Sequence, residues 1–185
     1  ANDALVNKIA FQGDAEHGIL GIFKHPNITK YVLPADGEGS ATTWDKKTPV
    51  QILRDMNNAV SMIVDITKGV EIPDTILLPI DKYNIIATTL LPDSGGQTIL
   101  SFFQEKNPYI QTIKSIHEAS GAGTGGKDIM FIYRNDENAL SLEIPLPFEQ
   151  LAPQRKNLEM VIPCDSSTAG VMVYYPLSIC MAEGI

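Results

Sequence analysis

The chain has 185 residues, 44% of them hydrophobic, enough to bury roughly 70% of the surface that its unfolded form would expose. Acidic residues outnumber basic ones by 22 to 14, a formal net charge of −8, and the only adjacent basic pairs are Lys46-Lys47 and Arg155-Lys156. Tracking a phosphate backbone takes clustered Lys and Arg, so strong, specific nucleic-acid binding is not expected.

That length fits one domain or two intimately packed subdomains. Cys164 and Cys180 alone make neither a disulfide framework nor a zinc site. No apolar run reaches the 18 residues of a membrane-spanning helix, and no charged-then-apolar secretory leader is visible, so no membrane partner and a reduced, cytoplasmic setting are expected.

The chain opens in Ala4 to Phe11, read as helix, with Leu5 and Ile9 on one face and Asn2 or Asp3 available as a cap. Beginning inside an apolar helix, without an initiator Met, leads us to expect a fragment or a processed product. The strongest element runs from Thr48 to Lys68. Thr48 and Gln51 form a capping box, Pro49 suits the first turn, and Ile52, Leu53, Met56, Ala59, Val60, Ile63 and Ile66 recur at three- and four-residue spacing. Gly69 ends it as a left-handed cap.

Between Pro73 and Pro79, Thr75 to Leu78 reads as a buried strand. Asp81 to Leu90 and Thr98 to Lys106 read as helices, separated by Pro92-Asp93-Ser94-Gly95-Gly96. Tyr109 to Ile116 reads as strand. Ile129 to Tyr133 and Ala139 to Ile144 are expected to form a hairpin across Arg134 to Asn138. A second pair is expected between Leu158 to Ile162 and Val171 to Tyr175, across Cys164 to Gly170. Helices lead and strands follow, which argues for an α+β fold and against a doubly wound sheet. No internal repeat is visible, and Gly-rich loops at 34–40, 92–97 and 119–126 read as surface excursions.

Few residues invite a chemical role. Gly121-Ala122-Gly123-Thr124-Gly125-Gly126-Lys127 matches seven positions of the phosphate-binding loop and the spacing GxGxxG. Both motifs require a helix directly afterwards. Here Asp128 stands where Ser or Thr should hold magnesium, and a strand-like run follows, so a flexible loop is the better reading. His17, His25 and His117 have no short-spaced partner for a metal. Neither cysteine has an evident activating base, and Cys180, within Leu177 to Met181, reads as a small buried hydrophobe. Asp136-Glu137 suits a turn. Asp36 and Glu38, in a Gly-rich loop, could touch a cation or a partner's lysine but have little reason to shift their pKa as a catalytic pair. No catalytic, cofactor-binding or metal residue is assigned, no cofactor is implied, and a non-enzymatic role is expected.

Three stretches together resemble a known family. Asn7 to Asp14, followed by Gly18 to Ile22, resembles the end of the long spine helix, and the turn leaving it, in tailed-bacteriophage major capsid proteins, particularly the encapsulin-like group. The helix from Pro49 leading into Asp74 to Pro79 and Tyr83 agrees in order and spacing, as do Phe148 to Arg155 and Gly170 to Ile179. The resemblance covers most of the chain, though no single motif in it is diagnostic. It implies the Hong Kong 97-like capsid fold, with mainly antiparallel or mixed sheet flanked by helices. Residues 1–28 with 144–170 would be the peripheral part, and 29–143 with 171–185 the axial part.

The implied function is a structural subunit of a bacteriophage capsid shell, here as a truncated or proteolysed core. The implied partner is the chain itself, in pentamers and hexamers, with scaffolding or decoration proteins as further partners. Its place would be the virion capsid, assembled in the host cytoplasm. Members of the family carry an N-terminal arm and an extended two-stranded loop before the spine helix, which this sequence lacks. The competing readings are an encapsulin nanocompartment shell, a phage tail or baseplate component, and a nucleotide-binding enzyme using residues 121–127.

Overall fold

The computed structural model describes residues 2–185; Ala1, which the expected peripheral part included, lies outside them. In chain order the elements are α1 (Asn2–Gln12), β1 (Gly13–Asp14), β2 (Ile19–Leu20), β3 (Thr29–Tyr31), α2 (Pro49–Ile66), β4 (Thr75–Leu78), α3 (Ile80–Thr88), α4 (Ile99–Lys106), β5 (Thr112–Ser115), β6 (Ile129–Tyr133), β7 (Leu140–Glu143), β8 (Leu146–Gln150), β9 (Gln154–Lys156), β10 (Glu159–Val161), β11 (Cys164–Ser167), β12 (Gly170–Val173) and β13 (Ile179–Glu183). They divide into two units. One comprises residues up to His25 with Leu140–Val173; the other is Pro26–Ala139 with Tyr174–Ile185.

The larger unit is built on a five-stranded mixed sheet of order β3-β13-β6-β4-β5. β13 lies antiparallel to β6, with Cys180 opposite Ile132, and parallel to β3, with Cys180 opposite Thr29. β4 pairs antiparallel with β6 and parallel with β5. Strand alternation sends Ile76, Leu78, Met130, Ile132, Cys180 and Ala182 to one face. There they join Ile52, Met56, Ala59, Val60 and Ile63 of α2 and Ile99 and Phe103 of α4 in one core cluster. Leu77, Ile129, Phe131, Ile179 and Met181, the alternate positions, are buried as well. A sheet covered on both faces explains why these strands read as continuous apolar runs.

Helix α2 forms as its sequence dictates. The Gln51 amide donates to Thr48 Oγ1 at 3.4 Å, and the Thr48 amide donates to Gln51 Oε1 at 2.8 Å, closing the capping box. Ile52, Met56, Ala59, Val60 and Ile63, at helical spacing, are at most 1% exposed. Full burial of each larger side chain contributes about 1.5–3 kcal/mol. The same helix buries a charge: Asp55 Oδ2 meets Lys47 Nζ at 2.6 Å, and both side chains are fully buried. Arg54 bridges Asp55 at 2.8 Å and Asp36 at 2.6 Å, and Gln51 Nε2 donates to the Asp36 carbonyl. These bonds fix the 34–47 segment, including fully buried Trp44, against α2.

The smaller unit has a different construction. α1 ends where Gly13 and Gly21 bring β1 and β2 together; a Cβ on Gly21 would lie 2.2 Å from the Gln12 carbonyl carbon. Phe11 stacks on Phe23 with ring centroids 5.2 Å apart. Residues 140–173 form a long ribbon of nested ladders: β7 with β12, β8 with β11, and β9 with β10. The Leu151 amide, donating to the Pro163 carbonyl, joins the last two ladders. The chain reverses at Asn157-Leu158, where Asn157 takes a left-handed φ of 58°.

This nesting corrects two expectations. Ile129 to Tyr133 does not pair with Ala139 to Ile144, and Leu158 to Ile162 does not pair with Val171 to Tyr175. At the supposed first turn, Asp136 accepts from the Asn138 amide and Arg134 reaches Glu71 and Asp136. The Ala139 carbonyl accepts from the amides of Tyr174 and Tyr175. Those contacts leave no hairpin register between β6 and β7. The true reversal is flanked by Gln154-Arg155-Lys156, too polar to read as strand, and by Glu159-Met160-Val161, which lies within the expected Leu158 to Ile162 strand but pairs with this nearer partner.

Two substitutions test this description. Asp55→Ala leaves the buried Lys47 ammonium with only its 3.3 Å contact to Asp36 and is expected to lower stability by about 3–5 kcal/mol in chemical denaturation, whereas Lys47→Met with Asp55→Leu recovers most of that loss. Gly21→Ala forces β1 and β2 apart, and faster amide exchange in residues 2–25 is the expected signature.

Candidate assembly surface

The residues with possible chemistry do not converge. The loop from Gly121 enters strand β6, not a helix. Four of its amides are already used: Gly121 donates to Asp128 Oδ1, Gly123 to the Lys127 carbonyl, Thr124 to Glu183 Oε2 and Gly126 to the Gly123 carbonyl. Phosphate binding at such loops depends on converging amides at a helix start, and no helix follows this one. His17 Nδ1 lies 2.7 Å from Asp14 Oδ2. His117 begins a short 3-10 turn, and its carbonyl accepts from the Ser120 amide. Among the described residues no group of three His, Cys, Asp or Glu side chains could hold a metal ion. His25 lies in the cap of another short turn, with its amide donating to the Ile22 carbonyl.

Cys180 is fully buried in β13, and desolvation pushes its thiol up to about 12, which makes it inert. Cys164 is exposed on the ribbon. Asp36, considered as a cation or partner ligand, is instead tied to Arg54 and, at 3.3 Å, to Lys47; Glu38 is exposed in its own turn. Asp136 organises the 134–139 turn, with the Asn138 amide holding its carboxyl below the usual carboxylate range.

The surface of the smaller unit is what stands out. Its buried large hydrophobics are Ile22 and Phe23, whereas Leu5, Leu20, Leu142, Phe148, Leu158 and Met160 lie between 42% and 104% exposed. Every residue from Pro147 to Ile162 is exposed, so the outer ribbon packs on nothing. Its ladders are two-stranded and leave both edges without main-chain partners, a state of marginal stability in water and a template for pairing with another chain. Leu5 and Ile9 do share a face of α1, as their spacing requires. That face lines an open groove of about 700 Å³ instead of filling a core. Ser166 Oγ, on β11, donates to Asn2 Oδ1 at 3.0 Å and links the two walls of the groove.

Similar folds occur in solved structures of shells and particles. The capsid of Myoviridae phage XM1 contains a chain that superposes with a TM-score of 0.83 at 15% identity, covering 99% of this chain and 61% of that one. The virus-like particle of Pyrococcus furiosus gives a TM-score of 0.60 at 17% identity, covering 88% of this chain and 58% of its counterpart. This chain therefore spans about three fifths of the length of each. No relative was found among curated proteins. The mixed sheet flanked by helices is thus a capsid fold of the Hong Kong 97-like kind anticipated from the sequence. A family model for major capsid proteins matches residues 1–185, and the chain belongs to that family of structural shell subunits.

The surface ion pairs carry a pH dependence. Hydrogen bonds from His17, Arg54 and Lys106 hold the carboxyls of Asp14, Asp36 and Glu105 below their usual range. A folded-state pKa below the unfolded one gives stability that is present above about pH 4 and lost as pH falls through the folded value. Denaturant titrations should therefore show stability falling below about pH 4, with a shallower fall in Asp36→Asn. Stability that rises on acidification would contradict the assignment.

Proposed function

We propose that this chain is a structural, non-enzymatic subunit that associates with copies of itself into a closed bacteriophage capsid shell. Family membership supports the class of protein. The observation that carries the self-association is the smaller unit's ribbon, with its free strand edges and its apolar side chains left in water. A domain of this size cannot keep such a surface bare without either solubility devices or a partner. Closed symmetric assemblies of a single chain are the commonest way to cover it.

On this reading the unit containing α1 and the ribbon is the peripheral part of the subunit, and the five-stranded unit is the axial part. Pentamers and hexamers are the assembly units, with scaffolding or decoration proteins as accessory partners, and assembly in the host cytoplasm precedes residence in the virion. The charge supports a container with no firm hold on nucleic acid. The formal net charge is −8, and Lys30, Lys47, Arg54, Lys82, Lys106 and Arg134 are engaged in ion pairs with the chain's own carboxylates. Among the described residues no helix is long and apolar enough to cross a membrane. The likeness to a virus-like particle supports a second reading, a protein-loaded compartment built on the same shell geometry.

Sedimentation velocity over a hundredfold concentration range, followed by negative-stain imaging of the heaviest species, tests the proposal. Reversible association into capsomer-sized or shell-like particles is expected. Tubes or open rings would favour a tail or baseplate component, and a monomer at every concentration would overturn the proposal.

A further inference from the structure

The ribbon's tip and the groove at its base are complementary, and the ribbon keeps them apart within one molecule. The groove is walled by Leu5, Val6 and Ile9 of α1, by Ile19, and by Leu146 and Phe148 of β8, and Asp3 and Asp14 stand at its margin. Leu5 and Phe148 are each 53% exposed, so apolar surface faces water inside it. Asp14 already holds His17, whereas Asp3 makes no ion pair among the described residues.

At the other end of the ribbon, Leu158 is 104% exposed and Met160 69% exposed. In the tip register Met160 stands opposite Arg155, and Glu159 stands opposite Lys156. Directly opposed residues share a face. One face thus balances Glu159 against Lys156. The other offers Met160 with Arg155, whose charge meets no carboxylate among the described residues, next to the fully exposed Leu158 of the turn. A basic, apolar knob therefore exists on an acidic chain that also carries an acid-rimmed apolar groove.

The knob cannot enter the groove of its own molecule. Ten residues separate Phe148 from Leu158, about 33 Å of strand at ~3.3 Å per residue. Full exposure from Pro147 to Ile162 shows that this length does not fold back onto the base.

Resting on the reading above, that the chain associates with itself, we infer that the groove between α1 and β8 is the socket for the Leu158 tip of a second copy. Leu158 and Met160 fill the apolar floor, and Arg155 pairs with the Asp3 carboxylate at the rim. The contact is head-to-tail: the donor's own groove stays open to a further copy. Such a contact generates a ring or a continuing lattice instead of an isolated dimer.

The test uses the full chain with the exposed Cys164 replaced by Ser. Leu5→Cys and Leu158→Cys variants are prepared separately, oxidised alone and as a mixture, and resolved without reductant. A disulfide-linked dimer found only in the mixture is expected. In sedimentation, Leu158→Asp should weaken self-association by about 30-fold, the loss typical of one interface hot spot. Arg155→Glu should weaken it less, and Asp3→Lys combined with Arg155→Glu should restore it. Association that persists without the mixed cross-link would overturn this inference and leave the shell reading standing. Leu158→Cys linking to itself would mean that tips meet tips, and Leu5→Cys linking to itself that α1 meets α1; either result also overturns the inference. A chain that never associates overturns both.

Discussion

Main-chain pairing of β13 on both its edges is the interaction around which the larger unit is organised. Its antiparallel ladder with β6 and its parallel ladder with β3 join residues far apart in sequence into one sheet. Without β13, β6 would have an open edge and β3 would have no sheet to belong to. The face it shows to α2 carries Cys180 and Ala182, small side chains that bring the helix close. Ile179 and Met181 complete the opposite face. Buried Asp55 on α2 then has to be neutralised locally, which is why Lys47 comes in from the preceding loop and why that loop is held rather than loose.

The two units divide the work of folding and of recognition. One concentrates nearly all the large buried side chains. The other spends its apolar residues on a ribbon and a groove that stay open to water. On the proposed shell reading, a subunit that enters a crowded lattice benefits from that division, because the core holds the shape while the contacts form and rearrange.

Much of the core unit was legible in the sequence because its signals are local. Thr48, Pro49 and Gln51 specify the start of α2, and the three- and four-residue spacing of its apolar side chains specifies the buried face. Prolines bracket β4, and an unbroken apolar run marks β6. Helix α3 stops at Thr88 instead of reaching Leu90, because Leu90 forms an isolated bridge with Thr98 across the Gly-rich turn. Pairings in the ribbon were not legible. β7 finds its partner some thirty residues on, the actual turn carries Asn-Leu without a glycine, and strands exposed on both faces show no hydrophobic alternation. Leu5 and Ile9 were readable as one helical face but not as the wall of a groove, since periodicity marks which residues lie together and says nothing about what covers them. The family likeness came from the order of whole segments, and no cluster of polar residues announced a site.

The position of the ribbon between β6 and β13 also sets a clock. A ribosome adding about 5–20 residues per second needs several seconds to pass from the end of β6 to the start of β13. Throughout that interval α2, β4 and β6 can form, but the sheet has a raw edge where β13 belongs. The ribbon, being local in its contacts, can zip from Asn157 outward in the meantime. On the proposed reading, nascent chains on neighbouring ribosomes would therefore meet with their contact-forming ribbons ready before their cores are shut. Keeping newly made subunits dilute, or shielding that edge until the last strand arrives, becomes as much a part of building the shell as the contacts that hold it.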